Sequence, residues 1–416
     1  MGRQAGNDGS TAMDSQDLRV RCLHVTSEDE ALDALKGVEA DVYGVQAMLP
    51  KMIHLNILLE GVECKVANII KQEMLSLGGD AAVARDAIGC RIARTDVILI
   101  GTLKQIRHFT EKIAGGPFGL NRFSDRIREI LSNLSSNSAI LRTSRREIKV
   151  GERTLIMGII NATPDSFSEG GRFATPATAV EEAIRMVEDG ADIIDIGGES
   201  SRPGSDPVPE EEELRRVIPV IRGLAGRISV PLSIDTMKAA VAREALAEGA
   251  EIINDISSMN YDDQMATVVA EAGAAIILMH MRGVPKTMQT GDITYRFLLG
   301  EVISFLKKRI DNAEERGIAP VQIMIDPGLG FGKSAMDNMR LIRHLSEFKI
   351  LGRPIVTGVS RKSFIGHVTG GSPQERIEGT AASVTAAILN GSRVIRVHDV
   401  KTMKKVAAMA DALVSA

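Results

Sequence analysis

The sequence predicts an α/β fold: a (β/α)8 TIM barrel over residues 140–416, preceded by a small α/β N-terminal domain over residues 18–139. Three observations carry that reading. Beyond about Ile140, short branched apolar runs alternate with amphipathic stretches at helical spacing. About eight such pairs fit into roughly 260 residues, the count of this barrel. Nearly every run also ends in a polar residue, which is where such a barrel carries its active site. An open doubly wound sheet is the alternative, but it usually needs fewer strands and a Gly-rich turn after the first, and none follows here.

At 416 residues the chain is long enough for about two domains with an ample core. Its 44% hydrophobic and 25% charged content is ordinary for a globular protein. A net charge of -4 gives no case for a nucleic-acid partner or an anionic membrane surface, and the absence of Trp argues against base-stacking platforms. No apolar run approaches a bilayer span, and the first residues lack a signal-peptide core. Cys22, Cys64 and Cys90 are odd in number and lack zinc-site spacing, so a reduced, cytoplasmic chain is expected.

Residues 1–17 are Gly-, Ser-, Asp- and Asn-rich, a composition that predicts disorder. Leu18 to Val25 alternates like a strand, and Ser27 is placed to cap a helix. Lys51 to Leu77 carries apolar residues at helical spacing and closes on Gly78-Gly79, predicting one long helix. Val97–Ile100 reads as a buried strand, Thr102 as the start of the next helix, and Ser124–Leu134 as a further one. Lys71-Gln72-Glu73 and Arg85-Asp86 read as solvated surface rather than a site, and His54 and His108 stand without visible partners. These residues assign no role to the domain.

Gly151-Glu152 is flanked by Ile148–Val150 and Thr154–Ile156, which predicts a hairpin leading into the first long strand. Strands follow at Leu155–Asn161, Asp192–Gly198, Leu232–Asp235, Ile252–Ile256, Ala275–His280, Ile323–Asp326, Ile355–Ser360 and Val394–His398. Amphipathic helices lie between them, among them Ala177–Glu188, Glu210–Ala225, Lys238–Glu248, Phe297–Arg316 and Thr380–Leu389.

The strand ends deliver a ring of polar groups whose chemistry divides in two. Asp235, Asn254 and Asp326 come from three strands, and amides and carboxylates in a barrel mouth suit a flat heterocycle with several N–H donors. Lys362 is placed to donate to a ring carbonyl or nitrogen. Asn161, Ser201, Arg202, Arg396 and His398 have the chemistry of anion ligands, and Asn161 can add a hard oxygen for Mg²⁺ held by phosphates. Taken singly, Asp235 is also a good helix cap, and Arg202 or Arg396 an ordinary salt-bridge partner. Gly328–Ser334 resembles a P-loop, yet the first required glycine falls on Pro327, so it reads as a loop with Phe331 available for stacking. No Ser-His-Asp or Cys nucleophile arrangement is suggested.

As a set, these motifs resemble dihydropteroate synthases, in the family's order, from about Arg146 to the C-terminus: the Asn161 loop, Asp195–Gly204, Ser233–Thr236, Ile253–Ile256, Met279–Met281, Asp326–Gly328, Gly358–Ser363 and Arg396–Asp399. The resemblance implies a (β/α)8 barrel, usually a homodimer, that condenses 6-hydroxymethyl-7,8-dihydropterin diphosphate with p-aminobenzoate in folate biosynthesis. It implies a pterin among Asp235, Asn254, Asp326 and Lys362, with Arg396 near the ring face. It further implies diphosphate at Arg396, His398, Asn161 and Mg²⁺. Loops carrying Phe167 and Ser201-Arg202-Pro203 would close over p-aminobenzoate beside Phe331 and Ser360. In the family's mechanism diphosphate leaves first, and the arylamine attacks the resulting cationic pterin methylene.

Two departures are mild: Ser201 stands where threonine is usual, and Glu169 where aspartate is common. A pterin-dependent methyltransferase shares the Asp/Asn set but has no use for the diphosphate ligands. A non-catalytic pterin-binding protein would be expected to have lost them, and they are present.

Overall fold

The computed structural model describes residues 20–136, 138–162, 175–291 and 293–415. The stretch expected to be disordered (1–17), Phe167 and Glu169 lie outside the described residues. Among the described residues no helix is long and apolar enough to cross a membrane. The chain divides into two compact units, Met1–Arg128 and Glu129–Ala416. The division falls inside the helix Leu120–Ser135 rather than at the expected residue 139.

The first unit is built on a three-stranded antiparallel sheet of β1 (His54–Glu63), β2 (Asp80–Val83) and β3 (Arg94–Thr102), in the order β1-β3-β2. Ser27 caps Glu28–Gly37 as expected, accepting from the Glu30 N–H at 3.1 Å. Thr102 opens Leu103–Ile113 with a reciprocal capping box to Gln105. Two expectations fail. Described residues 20–25 form no strand, and Val20 and Leu23 are exposed and pair with no edge of the β1-β3-β2 sheet. The long helix over Lys51–Leu77 is instead a helix end, the strand β1 and the helix Cys64–Ser76. One subset of its apolar residues satisfies helical spacing, but Ile53, Leu55, Ile57 and Leu59 alternate towards the interior as a strand requires.

The second unit opens with an antiparallel hairpin, β4 (Ala139–Arg142) against β5 (Glu147–Val150). The hairpin expected across Gly151-Glu152 therefore turns one step earlier, and residues from Leu155 belong to the barrel. Eight parallel strands follow: β6 (Leu155–Asn161), β7 (Ile193–Gly197), β8 (Leu232–Asp235), β9 (Ile252–Asp255), β10 (Ala275–Met279), β11 (Ile323–Asp326), β12 (Val356–Gly358) and β13 (Val394–Val397). They run in the order β11-β10-β9-β8-β7-β6-β13-β12, and a parallel bridge from Ile325 to Ile355 brings the two ends together. Helices such as Pro176–Glu188, Glu210–Leu224 and Leu298–Glu315 pack outside, within a residue or three of their expected limits.

The alternation of a strand sorts every barrel residue into one of two cores. Ile156, Ile160, Ile194, Ile196, Ile234, Ile253, Ile325 and Ile395 point outward and pack under the helices. Leu155, Met157, Ile193, Ile252, Ala275, Ile277, Met324, Val356 and Val394 fill the barrel's interior near the strand starts, closed off by Leu141 and Val150 of the hairpin. Glu251, buried just before β9, anchors that hairpin by accepting from Thr143 Oγ1 at 2.7 Å and Arg146 Nη2 at 2.6 Å. With the lower interior filled by hydrocarbon, inward positions near the strand ends are left for polar groups.

Candidate active site

Counting by twos from those inward apolar residues leads to Asn161 on β6, Asp195 on β7, Asn254 on β9, Asp326 on β11 and Arg396 on β13; on β8, where Leu232 and Ile234 point outward, Ser233 and Asp235 fall inward. The structure brings most of these together around one guanidinium. Arg396 gives its Nε to Asp195 Oδ2 at 2.6 Å and its Nη2 to Asp235 Oδ2 at 2.7 Å. Asn254 Nδ2 donates to the same Asp195 oxygen at 3.1 Å. Asp195 is fully buried, and its other oxygen has no hydrogen-bond partner among the described residues.

Burial pushes the Asp235 carboxyl up to about 7; Arg396 pulls the other way, and the neighbouring Asp195 charge adds to the rise. Burial opposes the charge on Arg396 as well, but Asp195 and Asp235 more than offset it and raise its pKa. Asp326 is raised by burial too, against the pull of Lys362 and of the Gly328 N–H that it accepts at 2.6 Å. Burial lowers Lys362 to about 8 while Asp326 resists. The Lys362 ammonium donates to the Leu329 carbonyl and lies 4.8 Å from the centre of the Phe331 ring. The cluster thus sets three inward carboxylates against one guanidinium and one ammonium, in a site where charges interact strongly.

A second group lies at the rim. His398 shares a hydrogen atom with Ser360, Nδ1 to Oγ at 2.9 Å, and its Nε2 stands 3.5 Å from Asn161 Nδ2. Burial, then Arg361 and Arg396, drives His398 down to about 3, so the imidazole is neutral at pH 7. Ser201, Arg202 and Pro203 sit on the loop after β7, with Arg202 and Pro203 exposed. The Arg202 carbonyl accepts from Ser205 Oγ at 2.8 Å, while its charge reaches His398.

Two residues at strand ends turn out to be structural. Asp255 points outward, and its carboxylate accepts from the Ser257 and Met259 N–H groups at 2.8 and 2.6 Å, capping the turn. His280 is buried and pairs its Nδ1 with Lys333 Nζ at 2.9 Å. That lysine closes the question of the P-loop look-alike: it donates to the carbonyls of His280, Gly328 and Phe331 at 3.2, 2.8 and 3.1 Å, knitting its own loop instead of facing a phosphate.

Sequence reasoning missed Asp195 as a site residue. The available signal was parity: Asp195 lies two residues before Gly197, whose register partner is Asp235. It also missed Lys238, buried between Glu199 and Glu213 with both contacts at 2.5 Å. This trio fastens the start of the Ser201–Arg202 loop to the segment that follows Asp235.

The profile of the family described as pterin binding enzyme matches residues 157–398. The dihydropteroate synthase of Synechocystis sp. is 48% identical over 265 residues, covering 63% of this chain and 91% of that protein. A probable bifunctional folylpolyglutamate synthase/dihydropteroate synthase of Halobacterium salinarum is 38% identical over 377 residues, 90% of this chain and 45% of that protein. Its match is longer than the second unit, so it extends into the first. Among solved structures, the dihydropteroate synthase of Xanthomonas albilineans with 4-aminobenzoic acid superposes with a TM-score of 0.62 at 42% identity, covering 67% of this chain and 99% of that one.

Proposed function

The chain belongs to the pterin binding enzymes, among the dihydropteroate synthases, and from that premise we propose how its barrel mouth divides the work of the reaction. The chain is a transferase of folate biosynthesis: it condenses 6-hydroxymethyl-7,8-dihydropterin diphosphate with p-aminobenzoate to 7,8-dihydropteroate and diphosphate. The observation that carries the assignment of roles is the buried Asp195–Arg396–Asp235 cluster with its unpartnered Asp195 oxygen. Acceptors with no donor of their own are what a pterin edge, rich in N–H groups, satisfies. Asp235, Asn254 and Asp326 take the ring's donors, Lys362 donates a hydrogen bond to a ring oxygen or nitrogen, and Arg396 lies against the ring.

Asn161, Ser201, Arg202, Arg396 and His398 receive the diphosphate. An arriving anion opposes the burial that holds His398 neutral, so the imidazole gains basicity as the substrate seats. When the bond from the methylene carbon to the diphosphate oxygen breaks, the electron pair leaves with the diphosphate towards these donors. The positive charge left on the pterin methylene develops beside Asp195, Asp235 and Asp326. The neutral arylamine nitrogen then attacks that carbon and afterwards releases its proton to water. The arylamine would lie between the Ser201-Arg202-Pro203 loop and the wall formed by Phe331 and Ser360; Phe167, the remaining member of this set, lies outside the described residues.

Among the described residues no group of three His, Cys, Asp or Glu side chains is placed to hold a metal. Mg²⁺ fits such a site without one, because it keeps waters and takes one or two protein oxygens with substrate phosphates. The Asn161 side-chain oxygen accepts no hydrogen bond among the described residues and is the group to hold it. Bound there, Mg²⁺ would neutralise charge on the leaving diphosphate. The enzyme works as a cytoplasmic homodimer. A particle of twice 44.7 kDa by light scattering would support the dimer.

The test is turnover and pterin-diphosphate binding by the full chain and by its Arg396→Ala and His398→Ala variants. Both variants should lose at least tenfold in affinity for the pterin diphosphate. Unchanged binding in both would overturn the assignment of the anion site.

A further inference from the structure

At the opposite end of the barrel from the proposed reaction lies a cavity of about 110 Å³ whose walls include Lys349, Gly352, Arg353, Gly391 and Arg393. Among the described residues it is lined by three cationic side chains and by no carboxylate. Lys349 reaches it along Gly391, where a Cβ would come within 2.5 Å of Lys349 Cε, so the glycine leaves the room that the lysine occupies. Among the described residues neither Lys349 Nζ nor the Arg393 guanidinium has a hydrogen bond or an ion pair.

Both cations are partly buried, and both are held below their ordinary pKa, first by burial; for Lys349 the second cause is Arg393 itself. Asp411 is the acid that Arg393 feels, but that carboxylate is engaged with the Thr154 N–H and Oγ1 at 2.9 and 2.7 Å. Arg353 is neutralised by Glu314, yet among the described residues its buried Nε has no partner. Two cations that line one cavity without an ion-pair partner among the described residues cost free energy that an anion would recover.

We propose that this cavity is a binding site for a small tetrahedral oxyanion such as inorganic phosphate, held by Lys349 and Arg393 with Arg353 in its wall. Its size sets the class. Benzene occupies a cavity of about 150 Å³, so about 110 Å³ suits a single phosphate and excludes a nucleotide. Its place sets the consequence. Pro354 and Ile355 also line it, and they make the join between β11 and β12, through one bridge and the Ile325 N–H to Pro354 carbonyl bond of 3.0 Å. Arg393 gives its backbone N–H to Ile355 at 2.9 Å. A phosphate bound here ties the segment before β12 to the start of β13, across the seam where the barrel closes.

The experiment is equilibrium dialysis of the full chain against labelled inorganic phosphate, together with thermal melts in phosphate and in sodium chloride of equal ionic strength. The expected result is that Lys349→Gln and Arg393→Gln each bind one phosphate fewer than wild type, while Lys349→Arg retains it. In both glutamine variants kcat and KM should stay within twofold, which also shows that they fold. Phosphate should raise the wild-type Tm above the chloride value, and that difference should vanish in the glutamine variants. Arg396→Ala, altered only at the barrel mouth, should still bind phosphate at this cavity. The proposal is overturned if the glutamine variants bind phosphate as wild type does, if Arg396→Ala abolishes all phosphate binding, or if chloride raises the Tm equally.

Discussion

Replacing Asp195 by Asn removes a charge and little volume, and its effect on Asp235 follows from the geometry around Arg396. The two carboxylates share one guanidinium, at 2.6 and 2.7 Å, and Asp195 is among the causes that raise Asp235 to about 7. Two carboxylates on one guanidinium lie ~5 Å apart, which at an effective dielectric constant near 20 is worth ~3 kcal/mol, or about two pH units. Removing the Asp195 charge also leaves Arg396 to Asp235 alone, which acts in the same direction. Asp235 should therefore ionise at a lower pH in Asp195→Asn. The assay is the pH dependence of binding of 6-hydroxymethylpterin, which lacks the diphosphate, so no phosphate ionisation confuses the result. Wild type should lose affinity as the pH falls through about 7, where Asp235 takes up a proton. In the variant that limb should move one to two units lower, with weaker binding at high pH because one acceptor is gone. A limb that stays in place, or moves up, would refute the coupling.

Three further outcomes are expected. Lys238→Met leaves Glu199 and Glu213 buried without their cation, a change that costs about 3–5 kcal/mol and lowers the Tm by roughly 6–15 °C at pH 7. Burial already raises Glu213; without the lysine it protonates more readily, so melts at pH 5 should show a smaller loss than melts at pH 7. Gly328→Ala places a Cβ 1.9 Å from the His280 carbonyl oxygen at a φ of +69°, so the loop after β11 must move, and kcat/KM should fall at least tenfold with a lower Tm. Removing divalent cations with a chelator should abolish turnover while leaving 6-hydroxymethylpterin binding within twofold, since Asn161 and not the pterin carboxylates is assigned to Mg²⁺; added Mg²⁺ should restore turnover.

The barrel was legible because strands buried on both faces read as short branched runs, and because parallel strands require helices between them. Their limits came within a few residues: Leu155–Asn161, Leu232–Asp235 and Ile323–Asp326 are the observed strands. The first unit is less legible. At His54–Glu63 a half-buried strand carries enough apolar residues to satisfy a helical count too, and only its pairing with β3 decides between them.

The sequence by itself also determined which polar residues reach the barrel mouth, since period two along each strand puts Asp235, Asn254, Asp326 and Arg396 on the inward side. What those residues do to one another was decided only by the tertiary structure. Arg396 is 201 residues from Asp195 and 161 from Asp235. Nothing local tells that its guanidinium joins them, that Asp195 keeps an unsatisfied oxygen, or that Lys333 is absorbed by three carbonyls. Chain order sets the direction in which a side chain points. Which charges become neighbours, and how far burial shifts them, depends on the closure of the barrel that packs distant strands around one shared interior.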